Sequence, residues 1–411
     1  MRLRLWLAVA LATTAVHAGP QLDFAAFLPD LPTQYHFADG APGLQDFSTR
    51  EYKPTGNIKV FIRNTGDQPL TATGITVDGS SVEQLREQRA MLWWRCLPNP
   101  IPARGEAEVL IRPRLPVTKP VKVSVAFAGS PAVTVEVSPT PDPVRLVCVG
   151  FNHTMDEVFL VAAKLESKPH TAARVFIDGE EVTANSRLLS PTFECGVCPA
   201  VVRLKSPLKY GSYHVFKMAG RSGGASACVQ RVYDGFVPVG SYGYGTVEDY
   251  ARNGLNGYNN FSVSSKEELD FQRMLGMRGV FITGANRPPA YAARHEGLFA
   301  YCLQDEPDCS DYNAEGWPLS ERIGYMAPEM ERRAEMCRRA DPRNLIFLTI
   351  DQTYKPANYY VYGQLADVTN HDCYPVSSGE ARGMSSRPSR PRGWASPPTR
   401  CSSPTRACTR R

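Results

Sequence analysis

The chain has 411 residues, enough for two or three domains. It is 43% hydrophobic and 21% charged, which allows a packed core and excludes general disorder. No apolar run after the N-terminal segment approaches the roughly 20 residues of a membrane-spanning helix, so we expect no integral membrane segment. The net charge of +5 arises at the ends: residues 1–18 and 381–411 hold ten arginines and no acid, leaving 36 basic and 41 acidic residues. This acidic body does not favour a nucleic-acid partner.

Residues 1–18 have the pattern of a secretory signal peptide. Two arginines open the segment, a short apolar run follows, and Val16 and Ala18 place small residues where a signal peptidase requires them. We expect cleavage before Gly19 and export to the periplasm, the cell surface or the medium. The apolar run is short for a bilayer, which disfavours a membrane anchor.

Residues 381–411 consist mainly of Arg, Ser and Pro, with almost no aliphatic side chains. Such a segment cannot bury enough apolar surface to become ordered, so the sequence predicts a disordered tail. Two origins fit this composition: a basic tail that binds an anionic partner, or GC-rich DNA translated out of frame. We favour the second, with a truncated domain before it.

The chain contains 11 cysteines, and Cys195 and Cys198 have the C-x-x-C spacing. A second C-x-x-C pair is missing, which disfavours a zinc site, and the surroundings do not resemble a thioredoxin unit. A local disulfide or two buried thiols is the better interpretation. The sequence therefore predicts neither a metal nor a cofactor.

Residues 40–140 are predicted to form a β-sandwich. Apolar and polar residues alternate over 57–64, 74–79 and 121–127, and turn residues separate these runs. Period-two alternation at short intervals is typical of antiparallel strands that bury one face.

Residues 144–235 are predicted to form a second β-sandwich after the proline-rich linker 139–143. One strand in each unit closes on Asp-Gly, at Asp78 and at Asp178, which suggests two related immunoglobulin-like sandwiches.

Trp93 and Trp94 are adjacent aromatic residues in the first predicted sandwich. Their rings could form a platform that stacks on a sugar. The commoner arrangement places one ring in the core and the other at an edge.

The pattern changes at residue 236 to short apolar strands that alternate with helices. This alternation predicts βαβ units and a parallel sheet. We expect helices over Thr246–Leu255, after a cap at Ser265, and over Ser320–Arg339. Six strands are predicted, within 236–240, 257–261, 278–283, 298–303, 344–350 and 366–369.

Two architectures fit this alternation, a doubly wound sheet and part of a (β/α)₈ barrel. The first predicted strand is not followed by a Gly-x-Gly-x-x-Gly loop, and two tyrosines would crowd a pyrophosphate there. Polar residues stand at the carboxyl ends of the strands, as in barrel enzymes. We therefore predict two immunoglobulin-like β-sandwiches followed by a partial barrel over residues 236–376.

Asp305-Glu306-Pro307 directly follows the fourth predicted strand. An exported chain with β-sandwiches before a barrel whose fourth strand ends in acidic-Glu-Pro resembles retaining glycoside hydrolases of the large (β/α)₈ clan typified by β-galactosidases and cellulases. The resemblance implies that Glu306 is the acid/base and that the substrate is a polysaccharide or oligosaccharide. Asp305 stands where the family usually has Asn, which implies a contact with a sugar hydroxyl.

Residues 371–375 are similar to the Asp-x-Tyr-Pro segment at the sixth strand of these enzymes. Polar residues at other strand ends are further candidates for contact with a glycan, although core or surface packing explains the two tyrosines equally well. The substrate-binding candidates are Asp305, Tyr242, Tyr244, Asp351, His371, Asp372 and Tyr374.

Retaining hydrolysis needs two carboxyl groups about 5–5.5 Å apart. The resemblance places the second one, the nucleophile, at a seventh strand. Residues 236–380 number only 145, against about 250 for a complete barrel, and they contain no such strand. The sequence therefore predicts a truncated domain with little or no hydrolase activity.

Three alternatives remain open from the sequence. An acidic cluster before proline is often a solvated loop or a helix cap, which would leave Glu306 without a catalytic role. The chain could be a non-catalytic surface or periplasmic protein whose sandwiches bind a glycan or a protein. It could also be a fragment without a stable function.

Overall fold

The computed structural model describes residues 19–30, 55–139, 145–163, 174–188, 197–220, 224–240, 245–258, 265–283, 287–314, 317, 322–351 and 357–371. The predicted signal peptide, the middle of the linker, Cys195 and the C-terminal tail lie outside these residues. None of the helices in the described ranges has the length and apolar character needed to cross a bilayer.

The first sandwich consists of two antiparallel four-stranded sheets, with the orders β1-β2-β6-β5 and β4-β3-β7-β8. Ile58, Val60 and Ile62 of one sheet pack against Val123 and Val125 of the other in a shared core. The strands are β1 (Pro20–Leu28), β2 (Asn57–Asn64), β3 (Ala72–Val77), β4 (Ser80–Ser81), β5 (Met91–Leu97), β6 (Glu106–Pro113), β7 (Val121–Phe127) and β8 (Ser130–Val137), with helix α1 (Val82–Glu87) between β4 and β5.

The alternating pattern thus predicts the antiparallel strands of this unit correctly. The predicted start at residue 40 is wrong, because β1 lies upstream of it and pairs with β2. Strand β1 has only one buried residue, Phe27, so its own pattern carries little signal.

The second sandwich also has two antiparallel sheets, with the orders β13-β14-β10-β9 and β12-β11-β15-β16. Asp78-Gly79 and Asp178-Gly179 have positive φ angles at both residues, as a two-residue type I′ hairpin turn requires. The strands are β9 (Arg145–Phe151), β10 (Glu157–Ala163), β11 (Arg174–Ile177), β12 (Glu180–Glu181), β13 (Ser186–Leu188), β14 (Val197–Arg203), β15 (Tyr213–Ala219) and β16 (Ala225–Arg231), with a 3₁₀ helix at Thr183–Asn185.

The remaining strands form one parallel sheet whose order, β17-β18-β19-β20-β21, follows the chain. Sequential order lacks the reversal that defines a doubly wound sheet. The strands are β17 (Gly257–Tyr258), β18 (Arg278–Ile282), β19 (Leu298–Cys302), β20 (Leu345–Ile350) and β21 (Val368–His371). The helices are α2 (Val247–Arg252), α3 (Lys266–Met274), α4 (Ala327–Ala340) and α5 (Ala357–Tyr362), with a 3₁₀ helix at Pro307–Asn313.

Residues 236–240, predicted as the first strand, do not form one. Val237 and Val239 are largely exposed, and the carbonyl oxygen of Val239 accepts hydrogen bonds from Asn256 and Gly257 beside β17. Pro238 has no N–H to donate to a ladder. The described residues therefore contain five parallel strands rather than six, and these five do not close into a barrel.

The predicted cap at Ser265 is confirmed, whereas Thr246, predicted as the first residue of a helix that runs to Leu255, is the cap of the shorter α2. The side chain of Ser265 accepts from the backbone N–H of Glu268 at the start of α3, and Thr246 caps α2 in the same way. Helix α4 begins at Ala327 instead of Ser320, with a proline in its first turn. Proline is favoured at that position because its missing N–H is not needed there.

The outer face of the first sandwich packs against the parallel-sheet region. Leu92, Trp93 and Leu110 share a core with Tyr301 of β19 and Met330 of α4. Trp93 is fully buried and Trp94 partly buried, as the commoner arrangement predicts. The ring of Trp93 therefore contacts protein and is not a platform for a sugar.

The two sandwiches contact each other through β6, β15 and β16. Phe61, Val215 and Ala227 form a small apolar cluster there. Beside it, the backbone N–H of Val229 donates to the Glu108 carboxylate at 2.9 Å. The contact thus combines apolar packing with buried charges.

Candidate active site

Glu306 follows β19, a strand in which every residue is buried. Its backbone is left-handed, with a φ of 43°. A non-glycine residue in this conformation is uncommon and often lies at a functional site. Glu306 occupies the N-cap position of the 3₁₀ helix Pro307–Asn313, but its side chain makes no capping hydrogen bond. The helix-cap interpretation of this carboxylate therefore does not hold.

Glu306 and Asp351 lie close together at the carboxyl ends of neighbouring strands. Asp351 directly follows β20, which pairs in parallel with β19. One oxygen of each carboxylate and the sulfur of Cys309 all lie within 4.8 Å of one another. The Cys309 thiol lies 3.2 Å from Asp351 Oδ2 and 3.7 Å from Glu306 Oε2. The structure thus brings together two residues that the sequence analysis singled out separately.

Asp308 fixes the backbone of Asp351. Its Oδ1 accepts from the Asp351 N–H at 3.1 Å, and its Oδ2 accepts from Asn358 Nδ2 at 2.8 Å. Asn358 Nδ2 also donates to the Asp351 carbonyl oxygen at 3.0 Å. Asp308 is fully buried, and burial raises its pKa to about 6. Asp308 and Asn358 together hold both backbone polar groups of Asp351.

Asp311, three residues after Asp308, makes a second set of buried hydrogen bonds. It accepts from the Tyr362 hydroxyl at 2.7 Å and from the backbone N–H of Gly324 at 2.8 Å. Burial raises the pKa of Asp311 to about 7. These hydrogen bonds tie the 3₁₀ helix after Glu306 to α5 and to the segment that leads into α4.

Cys309, Asp308 and Asp311 were not among the site residues predicted from the sequence. The available signal was the spacing, because residues three apart align on a 3₁₀ helix. Glu306 and Cys309 have this spacing, as do Asp308 and Asp311. The polar residues were visible, but the helix that aligns them was not predicted.

The same three residues offer donors for a metal ion. Glu306 and Asp351 each contribute an oxygen, and Cys309 contributes a sulfur, which suits a thiophilic divalent cation such as zinc. This is the single group of metal-ligating side chains found within the described ranges.

The other sequence candidates are located only in part. Asp305 is half-buried beside Glu306. His371 ends β21, and its backbone pairs with Ile350, which places it at the edge that carries Asp351. Four further candidates lie outside the described residues: Tyr242, Tyr244, Asp372 and Tyr374.

Two surface cavities lie away from this cluster. One of about 580 Å³ runs along α4 beside Arg287, and one of about 380 Å³ lies near the start of β18 and β19. Neither is lined by Glu306 or Asp351.

No family model and no curated protein matches this sequence. Among solved structures, an FMN-binding β-glucuronidase from Facaelibacterium prausnitzii is 11% identical, with a TM-score of 0.24 over 78% of this chain and 60% of its own. Bacteroides uniformis β-glucuronidase 2 is 11% identical, with a TM-score of 0.27 over 86% of this chain and 55% of its own.

A glycosyl hydrolase family 2 member from Bacteroides cellulosilyticus is 9% identical, with a TM-score of 0.26 over 80% of this chain and 51% of its own. This chain therefore spans between half and two thirds of the length of each of these three structures. Likenesses at these scores establish neither the fold nor the function of this chain.

Proposed function

We propose that this chain is a glycoside hydrolase-like protein that acts on a polysaccharide or oligosaccharide, with Glu306 as the acid/base, and that it is active, against the expectation drawn from the missing seventh strand. The observation that carries the proposal is the position of the Glu306 carboxylate. It lies at the carboxyl end of a buried parallel strand, with the Asp351 carboxylate within 4.8 Å. A pair of neighbouring carboxyl groups is what retaining glycoside hydrolysis requires.

In retaining hydrolysis, Glu306 would donate a proton to the leaving oxygen in the first step and take a proton from water in the second. One carboxyl must therefore hold a proton near the working pH while its neighbour is ionised. Partial burial and a second carboxylate nearby are the usual means of separating two such groups. Glu306 and Asp351 are both half-buried, and one oxygen of each lies within 4.8 Å of the other.

The architecture in this proposal is part of a (β/α)₈ barrel. Five parallel strands in chain order support it, because successive barrel strands pair with their neighbours in sequence. Both carboxylates and His371 then lie at the carboxyl edge, where barrel enzymes place their active sites.

We also propose export. The pattern of residues 1–18 supports it, and Gly19, the first residue after the expected cleavage site, donates its N–H to Thr65 Oγ1 at 3.0 Å. N-terminal sequencing of the protein recovered from the periplasm or the medium would test this proposal. A chain that begins at Met1 and remains in the cytoplasm would contradict it.

The catalytic proposal is tested with the purified full chain on a panel of glycosides whose leaving groups are unactivated alcohols or sugars, because these need protonation by an acid. Glu306→Gln is expected to lose at least about 100-fold in kcat/KM, since general acid catalysis contributes that much or more. Glu335→Gln is the matched control, because Glu335 is a partly exposed acid on α4 that pairs with Arg339. Absence of turnover across the panel, or equal losses in both variants, would refute the proposal.

A further inference from the structure

The cavity of about 380 Å³ near the start of β18 and β19 lies at the edge of the parallel sheet opposite to Glu306. Its lining combines residues of the parallel-sheet region with Tyr210 and Asp234, which flank the last two strands of the second sandwich. Clefts between structural units are common positions for small-molecule sites. The chemistry proposed for Glu306 makes no use of this cleft.

Three arginines line the cleft, and two of them are paired with carboxylates. Nη1 and Nη2 of Arg278 donate to the two oxygens of Asp234 at 3.0 and 2.6 Å. Nη2 of Arg273 lies 2.7 Å from Oε2 of Glu296. The charges of these four side chains cancel, which leaves the positive charge of the third arginine, Arg343.

Arg343 is held in place without a carboxylate partner among the described residues. Its guanidinium lies over the Tyr210 ring, 5.1 Å from the ring centre, and its Nη1 donates to the carbonyl oxygen of Arg294 at 3.1 Å. Within the described ranges, Nε and Nη2 of Arg343 donate to no other group. A guanidinium keeps its charge at any ordinary pH, and its planar fork of N–H donors fits a carboxylate. The cleft therefore contains a fixed positive charge whose remaining donors can bind an anion.

The other polar groups of the cleft are mainly hydrogen-bond acceptors. Helix α3 ends beside it, and the carbonyl groups at a helix C-terminus carry a partial negative charge. The carboxylates of Asp234 and Glu296 have lone pairs beyond those that the arginines use. Hydroxyl groups can donate to these acceptors, whereas a multiply charged anion would be repelled by them. One guanidinium among acceptors thus matches a ligand with a single anionic group and several hydroxyls.

We propose that this cleft is a second, non-catalytic binding site for a small hydroxylated carboxylate, such as a sugar acid. Arg343 binds the carboxylate of the ligand, and Asp234 and Glu296 accept hydrogen bonds from its hydroxyls. The inference goes beyond the proposed function and does not depend on it, because the cleft and Glu306 lie at opposite edges of the sheet.

Isothermal titration calorimetry of the purified full chain tests the site with three sugar acids, D-glucuronate, D-galacturonate and D-gluconate. Acetate carries the charge without the hydroxyls, and D-glucose, D-galactose and sorbitol carry the hydroxyls without the charge. We expect at least one sugar acid to bind. Acetate and the neutral counterpart should bind at least about tenfold more weakly, since a hydrogen bond to a charged group contributes enough for such a factor.

Arg343→Ala is expected to weaken binding of the sugar acid at least about tenfold for the same reason. Arg339→Ala is the matched control, because Arg339 is an exposed arginine that pairs with Glu335 and lines the other cavity. Arg273→Ala is a second test that should not disturb folding, because Arg273 is largely exposed. It leaves the Glu296 charge in the cleft without its partner, so we expect it to weaken binding severalfold.

Glu306→Gln should bind the sugar acid as tightly as the unsubstituted chain, so failure of the catalytic proposal would leave this site intact. The inference is overturned if no sugar acid binds, or if acetate or the neutral counterpart binds as tightly as the acid. It is also overturned if Arg343→Ala and Arg273→Ala both leave the affinity unchanged, or if Arg339→Ala or Glu306→Gln weakens binding as much as Arg343→Ala does.

Discussion

At the scale of single residues, Asp308 and Asn358 hold the backbone of Asp351. Asp308 is a buried acid with two hydrogen-bond partners, and each partner fixes a different part of the loop after β20. It does not face the substrate in this account, so it is a positioning residue. Its effect on the reaction passes through the placement of Asp351.

Asp308→Asn is expected to lower kcat about tenfold or more with little change in KM, because a small displacement of a reacting group costs rate rather than binding. The NH₂ group of the new Asn would replace the Asp308 oxygen that accepts from Asn358 Nδ2, so two hydrogen-bond donors would face each other. Exchanging both residues, Asp308→Asn with Asn358→Asp, restores a donor–acceptor pair and should recover part of kcat. A variant that only unfolds more easily, with kcat unchanged, would contradict a positioning role.

The sequence predicted the position of Glu306 but not its environment. An apolar strand followed by an acid and a proline is a local pattern. It predicts where a strand ends, but not which residues surround that end. The distance from Glu306 to Asp351 depends on two strands that are more than forty residues apart in the chain. A pattern within a few residues cannot predict a distance between two strands. Asp351 was therefore only one of several candidates at strand ends.

At the scale of elements, α3 packs closely against the start of β19, the strand that leads to Glu306. Gly297 precedes β19, and a Cβ atom at this position would lie 2.4 Å from the backbone oxygen of Leu269 in α3. The carbonyl belongs to a helix and cannot move alone. Glycine therefore allows the helix to pack directly against the start of the strand.

Gly297→Ala is expected to destabilise the protein by about 1–3 kcal/mol, the usual cost of overpacking, with a lower midpoint of thermal unfolding. Gly74→Ala is the control, because Gly74 also lies beside or within a strand and a Cβ atom there would have no neighbour within 4 Å. We expect the control to change stability by less than about 0.5 kcal/mol. Equal effects of the two substitutions would show that the contact with Leu269 is unimportant.

The sequence predicted elements well where a local rule determines them. Ser265 and Thr246 cap helices, and two Asp-Gly pairs make hairpin turns, each through contacts within a few residues. Residues 236–240 were predicted as a strand because they are apolar and short. Whether such a segment joins a ladder depends on its partner, which the sequence does not show.

At the scale of the whole molecule, the first sandwich and the parallel sheet share one core. Trp93 is fully buried and packs with residues of β19 and α4.

Trp93→Ala is expected to lower the free energy of unfolding by about 3–5 kcal/mol, the range for a buried tryptophan. Trp94→Ala should cost clearly less, because Trp94 is only partly buried. Chemical denaturation of both variants tests this, and a larger loss for Trp94→Ala would contradict the shared core.

Glu106 lies in the contact between the two sandwiches, near Asp23, Arg63 and Lys217. Burial and then the Asp23 charge raise its pKa well above the usual range, while Lys217 and Arg63 oppose the shift. Its side chain is nearly inaccessible to solvent. Ionising this group in the folded protein is therefore unfavourable.

Because the pKa is raised in the folded protein, Glu106 keeps its proton there at pH values at which the unfolded chain has already lost it. The contribution of Glu106 to stability is therefore present at about pH 4 and is lost as the pH rises towards the folded pKa. Glu106→Gln should match the wild type at about pH 4 and exceed it increasingly above that, by at most about 1.4 kcal/mol per pH unit. Denaturation curves across this range test the prediction, and a difference that does not change with pH would refute it.

The packing between domains could not be predicted from the sequence. Trp93, Glu106 and the residues they contact come from different units, and neither period nor composition relates them. The sequence predicted that β-sandwiches precede a parallel sheet, because each element has its own period. It did not predict which faces meet.

The most direct test of the central claim is the dependence of the Glu306→Ala variant on the leaving group. An acid that protonates the departing oxygen matters most when that oxygen is a poor leaving group. We predict that the variant hydrolyses dinitrophenyl glycosides with a kcat/KM close to that of the unsubstituted chain but loses at least about 100-fold in kcat/KM on unactivated glycosides. An equal loss on both substrates, or no loss on either, would contradict the role of Glu306 as the acid/base.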